Sequence, residues 1–308
     1  MSFLAISNAH ARNVAKQGSA LSRATLSAGA THHITQDPAD LHPLFQKAAS
    51  DNLRHLVIEG GDGTVRTILS AMLNTYPSDQ SLPAVSILPS GTTNQIARNI
   101  GLKKLADLDL IAAGKLTETT VPMVQIKTKT HAPRYGFLFS TGALPHVSRF
   151  AQDKLNAKGV GGGSAVVGAV IKAVTSDRSD LMPPAKHRIK AKLKDQTIIN
   201  HKGKALGTIM TTLPSLMLGL DPFWGDEPAP LRLTWAEAES QKLGRTVAGL
   251  WLGRKQNRET DGFHSHNVDR LRLKTKAPAT LDGDFLDVQG QRLKISPSRS
   301  VTFWQAAR

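Results

Sequence analysis

Cysteine is absent from the 308 residues, so no disulfide can staple this fold, which fits a reducing compartment. Long apolar runs are missing as well. The longest, such as Ala165–Ile171, fall far short of the ~20 residues a transmembrane helix needs. The opening stretch MSFLAISNAHAR holds an apolar patch too short for a signal-peptide core and has no basic lead-in. Both absences lead us to expect a cytoplasmic protein. Aromatic residues make up only 5% of the chain, and none is interleaved with basic residues in the way nucleic-acid motifs require. Neither G-x-x-x-x-G-K-[ST] nor G-x-G-x-x-G occurs, so the chain is neither a P-loop protein nor a Rossmann dinucleotide binder by motif.

Acidic residues are scarce in one part of the chain only. Lys plus Arg is 39 and Asp plus Glu is 24, for a formal charge of +15. Up to Thr120 there are 10 basic and 9 acidic residues, and from Val121 onward 29 and 15. The basic character therefore belongs to the later part, where it would attract anionic lipid, phosphorylated ligands or nucleic acid, or simply solubilise the surface.

The first 120 residues alternate strand-like and helix-like patterns. FLAIS, HLVIE and AVSILP read as strands; LHPLFQKAAS, TVRTILSAMLN and NQIARNIGL read as helices. In the second helix Val65, Ile68, Leu69, Met72 and Leu73 share one face. This alternation predicts a doubly wound α/β domain, with ligands at the carboxyl ends of its strands. After Val121 the texture turns to short alternating segments, among them MVQIKTK, YGFLFST, LGTIMTTL, LRLTWA, VAGLWLG and LRLKTK. They predict an antiparallel β-rich sandwich or barrel. We therefore expect domains at 1–120 and 121–294, with a tail from about 295 to 308 packing back on the first. Within KHRIKAKLK, Lys186, Arg188, Lys190, Lys192 and Lys194 take every second position, so a strand would gather them on one face. An anionic membrane surface is the expected partner of that face; a charged edge that blocks sheet-to-sheet pairing is the plain alternative.

The joint HLVIEGGDGTVRTILSAM (55–72) runs from an apolar strand through three glycines into a helix. Glycine lets the backbone turn sharply and approach a ligand. Thr64 would cap the helix, whose first amides could bind a phosphate. Asp62 could orient a donor, contact a nucleotide hydroxyl, or help hold a divalent cation that bridges phosphates. In LPSGTTNQIAR (88–98) the logic recurs: Pro89 stops a strand, Gly91 permits the turn, and Thr92, Thr93 and Asn94 supply polar groups. Two such loops after neighbouring strands suggest one nucleotide held between them, although a structural turn is about as common as a phosphate site.

GGDGT followed by LPSGTTNQIAR resembles the diacylglycerol kinase catalytic-domain family, which includes bacterial lipid kinases and sphingosine kinases. NAD kinases and phosphofructokinases share the first joint; the second favours the lipid branch. The resemblance implies a nucleotide-binding α/β domain of the NAD kinase and phosphofructokinase type, followed by a β-rich domain carrying a lipid site. It implies ATP and Mg²⁺ as cofactors, with Gly60, Gly61, Asp62, Gly63, Thr64, Gly91, Thr92 and Asn94 around the nucleotide. Asn8 in ISNAHAR sits where the family has an Asn-Pro-x-x-Gly phosphate loop, and Thr35 in HITQDPADL matches a threonine that contacts ATP. LDGDF (281–285) is similar to the family's Asp-Gly-Glu/Asp motif. That makes Asp284 the implied general base and Asp282 its support or, with Asp284, a metal ligand; unaided, Asp-Gly between strands is more often a hairpin turn. The chain departs from the pattern at Arg66-Thr67, where the family has Asn-Glu, and at Ser140, where it has Asn. The Asp-Gly linked to a structural Mg²⁺ is absent around EPAPLRLTW.

The implied reaction is γ-phosphoryl transfer from ATP to a lipid hydroxyl, foremost diacylglycerol giving phosphatidic acid, by an enzyme peripherally bound to the inner face of the membrane. Rivals are a kinase of another lipid or polyol, a nucleotide- and lipid-binding protein whose chemistry has decayed, and, last, a nucleic-acid binder. His32–His33 and His264/His266 lack the cysteine or carboxylate partners of a zinc site and read as surface or loop residues. Trp224, Trp235, Trp251 and Trp304 read as packing, and LGLDPFWGDEP (218–228) as a possible apolar lip.

Overall fold

The computed structural model describes residues 3–23, 30–91, 94–112, 115–146, 183–216, 221–240 and 261–305. The segment VAGLWLG, Trp251, Thr92 and Thr93 lie outside them. The described chain begins β1 (Leu4–Asn8), α1 (Arg12–Gln17), α2 (Ala20–Arg23), β2 (Thr31–Thr35), α3 (Leu41–Ser50), β3 (His55–Gly60), α4 (Asp62–Thr75), β4 (Ala84–Pro89), α5 (Gln95–Ile100) and α6 (Asp107–Ala112). Strands follow: β5 (Thr117–Lys127), β6 (Arg134–Gly136), β7 (Leu138–Gly142), β8 (Ala185–Leu193), β9 (Gln196–Thr211), β10 (Leu231–Glu237), β11 (Phe263–Val268), β12 (Arg270–Thr275), β13 (Ala279–Leu281), β14 (Asp284–Leu286) and β15 (Arg292–Gln305). The chain divides into two compact units, Met1–Met123 with Arg299–Arg308, and Val124–Ser298. No helix among the described residues is long and apolar enough to cross a membrane.

In the first unit β2, β1, β3 and β4 lie side by side in that order, all parallel, and Phe303 of β15 continues the parallel pairing at Val85. The β3 strand HLVIEG is buried along its whole length, as a strand covered on both faces must be. The α4 helix buries Val65, Ile68, Leu69, Met72 and Leu73, the stripe that its 3.6-residue periodicity selects. The strand order places a reversal between β1 and β3: the chain leaves β1 towards β2, crosses back to β3 and then moves on to β4. Such a switch point opens a crevice at the carboxyl ends of the two strands.

His55 starts β3 only 3% exposed, with Nε2 2.9 Å from the Ser86 hydroxyl. Burial lowers its pKa from 6.5 to about 4. The unfolded chain binds this proton near pH 6.5 and the folded chain does not until about 4. The neutral-histidine contribution is therefore complete above 6.5 and is lost progressively as the pH falls towards 4, by about 3 kcal/mol in all. Urea unfolding at a series of pH values should show this slope, and His55→Gln should flatten it.

The second unit is antiparallel. Its strands run β14, β13, β7, β9, β8, β12 and the first part of β15; β10 joins β9 to β11, and β5 pairs with β6. One apolar cluster fills it, with Phe139, Ile189, Met210, Leu233, Trp235 and Leu271 among its members. The stretch read as one strand, YGFLFST, is two, β6 and β7, with Phe137 between them. Phe223 is buried under the Arg232 guanidinium, which lies 4.8 Å from its ring centre, so this part of LGLDPFWGDEP belongs to the core rather than to an exposed lip.

Candidate nucleotide site and acidic hairpin

A side-chain bond links the end of β1 to the first turn of α4. Asn8, the last residue of β1, donates from Nδ2 to the Thr64 hydroxyl at 2.9 Å, while its Oδ1 accepts the His10 amide at 2.9 Å. The two expected nucleotide-binding positions thus meet across the switch point although 56 residues separate them.

Thr64 is not the cap of α4. The helix begins two residues earlier, at Asp62, and Gly61 is its N-cap with extended backbone, φ −88° and ψ −179°. The Thr64 hydroxyl is instead available to Asn8. Gly60 has no room for a side chain, since a Cβ there would lie 2.5 Å from the Thr64 Cβ. Gly61 and Gly91 pack backbone to backbone: a Cβ on Gly91 would stand 2.5 Å from the Gly61 Cα. The two motif loops are therefore in direct contact. Gly63 differs from these three, because a Cβ built on it meets nothing within 4 Å. Packing does not demand glycine here, in the first turn of a helix where glycine is unfavourable; a ligand lying close to the backbone would.

Asp62 fixes the second loop. Its carboxylate accepts the amides of Gln95 at 3.0 Å and Ile96 at 2.8 Å, so it caps α5 from another element. Both oxygens serve this task, the donor-orienting role among those considered for it. Asn94 sits in the left-handed region, φ 50°, and clasps Gly91, accepting its amide at 2.8 Å and donating to its carbonyl at 2.9 Å. Thr35 is buried and gives its hydroxyl proton to the Asp37 carbonyl at 2.9 Å.

Three features escaped the sequence reading. Glu59, just before the glycines, is 3% exposed and accepts the hydroxyls of Ser7 and Ser19, both at 2.6 Å, and the Ala20 amide at 2.8 Å. It ties β1, β3 and the α1–α2 region together below the crevice, and only its place at a strand end could have hinted at this. A cavity of about 410 Å³ beside the second loop is lined by Asn94, Arg98, Lys103 and Gln305 among others. A smaller one of about 180 Å³ is lined by Asn13, Arg23, Glu59, Ser90, Lys103 and Lys104 among others. Arg98 ends the quoted motif and the lysines follow within a few residues, so these cations were in view without a reason to single them out.

In the second unit LDGD forms a two-residue hairpin. Asp282 and Gly283 have φ of 51° and 91°, the left-handed pair of a type I′ turn between β13 and β14. The Asp282 carboxylate accepts the Phe137 amide through both oxygens, at 3.0 and 3.1 Å, and the Leu138 amide at 2.7 Å. Its place is structural: it supports the segment between β6 and β7. Asp284, at the other end of the turn, is exposed. Among the described residues no three His, Cys, Asp or Glu side chains gather as a metal site. The donor set therefore does not fit a protein-held Mg²⁺ at Asp282 and Asp284, and a metal could come only with a phosphate ligand that supplies most of its oxygens.

The remaining candidates are placed as follows. Lys186, Arg188 and Lys190 on β8 and Lys194 after it are exposed and Lys192 half-buried, while His187, Ile189 and Ala191 point inward. Ser140 bonds the Thr280 hydroxyl at 2.7 Å. His264 and His266 are not loop residues and do have carboxylate partners. They lie on β11, with His264 Nε2 3.1 Å from Glu237 and His266 Nδ1 2.6 Å from Glu227, and the His264 ring stacks on Trp235 at 4.5 Å. Those partners lie 27 and 39 residues away, beyond the reach of local pattern. His32 and His33 stand on β2, and His32 Nε2 is 2.9 Å from the Ser7 hydroxyl.

Comparison with known proteins bears on the first unit most directly. Residues 3–126 match the family model described as diacylglycerol kinase catalytic domain. Proteins called "Probable lipid kinase YegS" from Escherichia coli O6:K15:H31 and from Shigella flexneri are 29% and 28% identical over 104 residues, covering 33% of this chain and 34% of each relative. The match thus spans about a third of those relatives' length. A solved structure of a diacylglycerol kinase from Bacillus anthracis str. Sterne superposes with a TM-score of 0.62 at 14% identity, covering 100% of this chain and 97% of that one, a likeness of fold. The order of the two units, parallel α/β first and β-rich second, is the architecture that likeness carries. Residues 3–126, which hold Asn8, the GGDGT joint and LPSGTTNQIAR, are thus similar to the diacylglycerol kinase catalytic-domain family.

Proposed function

We propose that this protein is an ATP-dependent lipid kinase that transfers the γ-phosphoryl group to a lipid hydroxyl, with diacylglycerol as substrate and phosphatidic acid as product. The observation that carries the reading is the open face of Gly63 beside the Asn8–Thr64 bond, at the switch point of a sheet that lies within the residues similar to this kinase family. The first-turn amides of α4 have no acceptors within the helix, and the positive end of its dipole favours a phosphate there. Gly63 lets that phosphate approach the backbone. Asp62 holds the α5 amides and so keeps the second loop in register with the first. Mg²⁺, arriving with ATP, would screen the charge between phosphates.

Phosphoryl transfer asks the protein mostly for position and electrostatics. The lipid hydroxyl oxygen forms the new bond to the γ-phosphorus as the bond to the bridging β,γ oxygen breaks and ADP leaves. Asp284 is the proposed acceptor of the hydroxyl proton. A carboxylate with a reference pKa of about 3.9 is a weak base towards a free alcohol, but the proton becomes acidic as the P–O bond forms.

The test is transfer of radiolabelled γ-phosphate from ATP–Mg²⁺ to extracted lipids in mixed micelles. Label in phosphatidic acid is the expected result. Label in another lipid would keep the reaction and replace the substrate. Measurable ATP binding with no labelled lipid would sink the lipid-kinase reading in favour of a soluble acceptor or a protein that only binds.

A further inference from the structure

We propose that the outer face of β9, β8, β12 and β15 in the second unit docks on an anionic lipid bilayer. The β8 alternation seen in the sequence is one column of a larger array. Strand pairing sets Lys202 opposite Arg188, Arg188 opposite Lys274, and Lys274 opposite Arg292, a row of four cations across four strands. The next row joins Lys190, Arg272 and Lys294. Lys186 faces Lys204 on one side of these rows, and Lys192 faces Arg270 on the other. All of these except the half-buried Lys192 are exposed, and none forms an ion pair among the described residues. A cleft of about 890 Å³ opens between Lys186, Arg188, Lys202, Lys204, Lys274 and Lys276. Asp195 follows the β8 strand in its turn and Asp269 precedes β12, so the nearest carboxylates in sequence flank the array; Asp269 accepts the Lys194 amide at 2.5 Å.

Like charges directly opposite one another destabilise a sheet, so such rows work against folding. Protection of an exposed edge does not account for them, because β8 is paired on both sides, to β9 and β12. An external anion that neutralises the rows does. A cationic face four strands wide matches an extended array of phosphates better than it matches a groove of nucleic acid, which is entered by a projecting helix or ribbon. An apolar residue adjoins the array as well. Ile198, the extra residue of the β8–β9 irregularity, is 37% exposed and one of two large apolar side chains so exposed among the described residues. Beside cations it suits the headgroup boundary, where apolar and basic side chains bind together.

The inference rests on the lipid-kinase reading only for choosing a membrane as the anionic partner, so the experiment separates the two. Cosedimentation without ATP uses vesicles of phosphatidylcholine alone, vesicles containing phosphatidylserine, and a DNA duplex as competitor. Phosphate transfer is assayed separately on detergent-dispersed diacylglycerol. The wild type should bind only the phosphatidylserine vesicles. The variant carrying Arg188→Gln, Lys190→Gln, Arg272→Gln and Lys274→Gln should lose about fivefold per cation, several hundredfold together, and keep its micellar activity. Equal binding to neutral vesicles, undiminished binding by the variant, or binding to DNA in place of vesicles would each overturn the proposal. Absence of micellar transfer by the wild type would strike the kinase reading instead and leave the vesicle result to be read by itself.

Discussion

Asp284→Asn is expected to lower phosphoryl transfer to lipid by a factor of about 10²–10⁴ while costing less stability than Asp282→Ala. Asp284 is exposed at the start of β14, so replacing its carboxylate by an amide removes a proton acceptor without opening the core. Asp282, two residues away, should behave in the opposite manner. Its carboxylate holds the Phe137 and Leu138 amides, and Phe137 is fully buried. Asp282→Ala would strand those amides and put a Cβ-bearing residue with no polar side chain in a left-handed turn position, at a cost of roughly 2–4 kcal/mol. Asp282→Asn keeps one acceptor and tolerates the left-handed backbone, so it should recover a good part of that loss. Turnover and urea unfolding measured on all three variants separate the roles. Equal losses of stability in Asp284→Asn and Asp282→Ala, or full activity in Asp284→Asn, would remove Asp284 as the base.

How much of this could be read from the chain depended on whether the cause was local. The AVSILP strand and the LHPLFQKAAS helix occur where apolar pattern and flanking turns put them, at Ala84–Pro89 and Leu41–Ser50. Periodicity also found the buried stripe of α4, but a preference for threonine as a cap put that cap three residues late. The actual cap is Gly61, where a Cβ would press to 3.0 Å from the Gly91 Cα. FHSHNV was not read as a strand: its inward Ser265 is buried through hydrogen bonds to the Trp224 amide and the Thr234 hydroxyl, and polar inward positions erase the hydrophobic alternation. For the site, motif marked the glycines, and the family resemblance marked both aspartates of LDGD. The resemblance gave Asp284 as the base and Asp282 as its support or a metal ligand, and could not show that the Phe137 and Leu138 amides, 145 and 144 residues earlier, claim Asp282. The cationic rows were hidden for the same reason. A single strand shows its own alternation, whereas strand pairing decides whether the neighbouring strands repeat it in register.

Gly91→Ala and Gly63→Ala should shift stability in opposite directions and impair the reaction for different reasons. A methyl at Gly91 would stand 2.5 Å from the Gly61 Cα and 3.1 Å from Asn94 Oδ1. The first contact is with backbone that closes β3 against α4, so neither partner can rotate away. The loops must separate, costing about 3 kcal/mol, the upper end for overpacking, and the Asp62 bonds to α5 should weaken with them. At Gly63 the methyl meets no protein atom within 4 Å, and alanine favours the helix by up to about 1 kcal/mol, so the melting temperature should hold or rise. Where the ligand is expected, however, the same methyl keeps a phosphate from the backbone. Losing one charge-assisted bond of about 1.5–3 kcal/mol corresponds to a ten- to hundredfold rise in the ATP dissociation constant. Calorimetric ATP titration and thermal unfolding of both variants distinguish the cases. A Gly63→Ala protein that binds ATP as the wild type does would mean that the open face of the joint is solvent, and the phosphate would have to be sought elsewhere on the first unit.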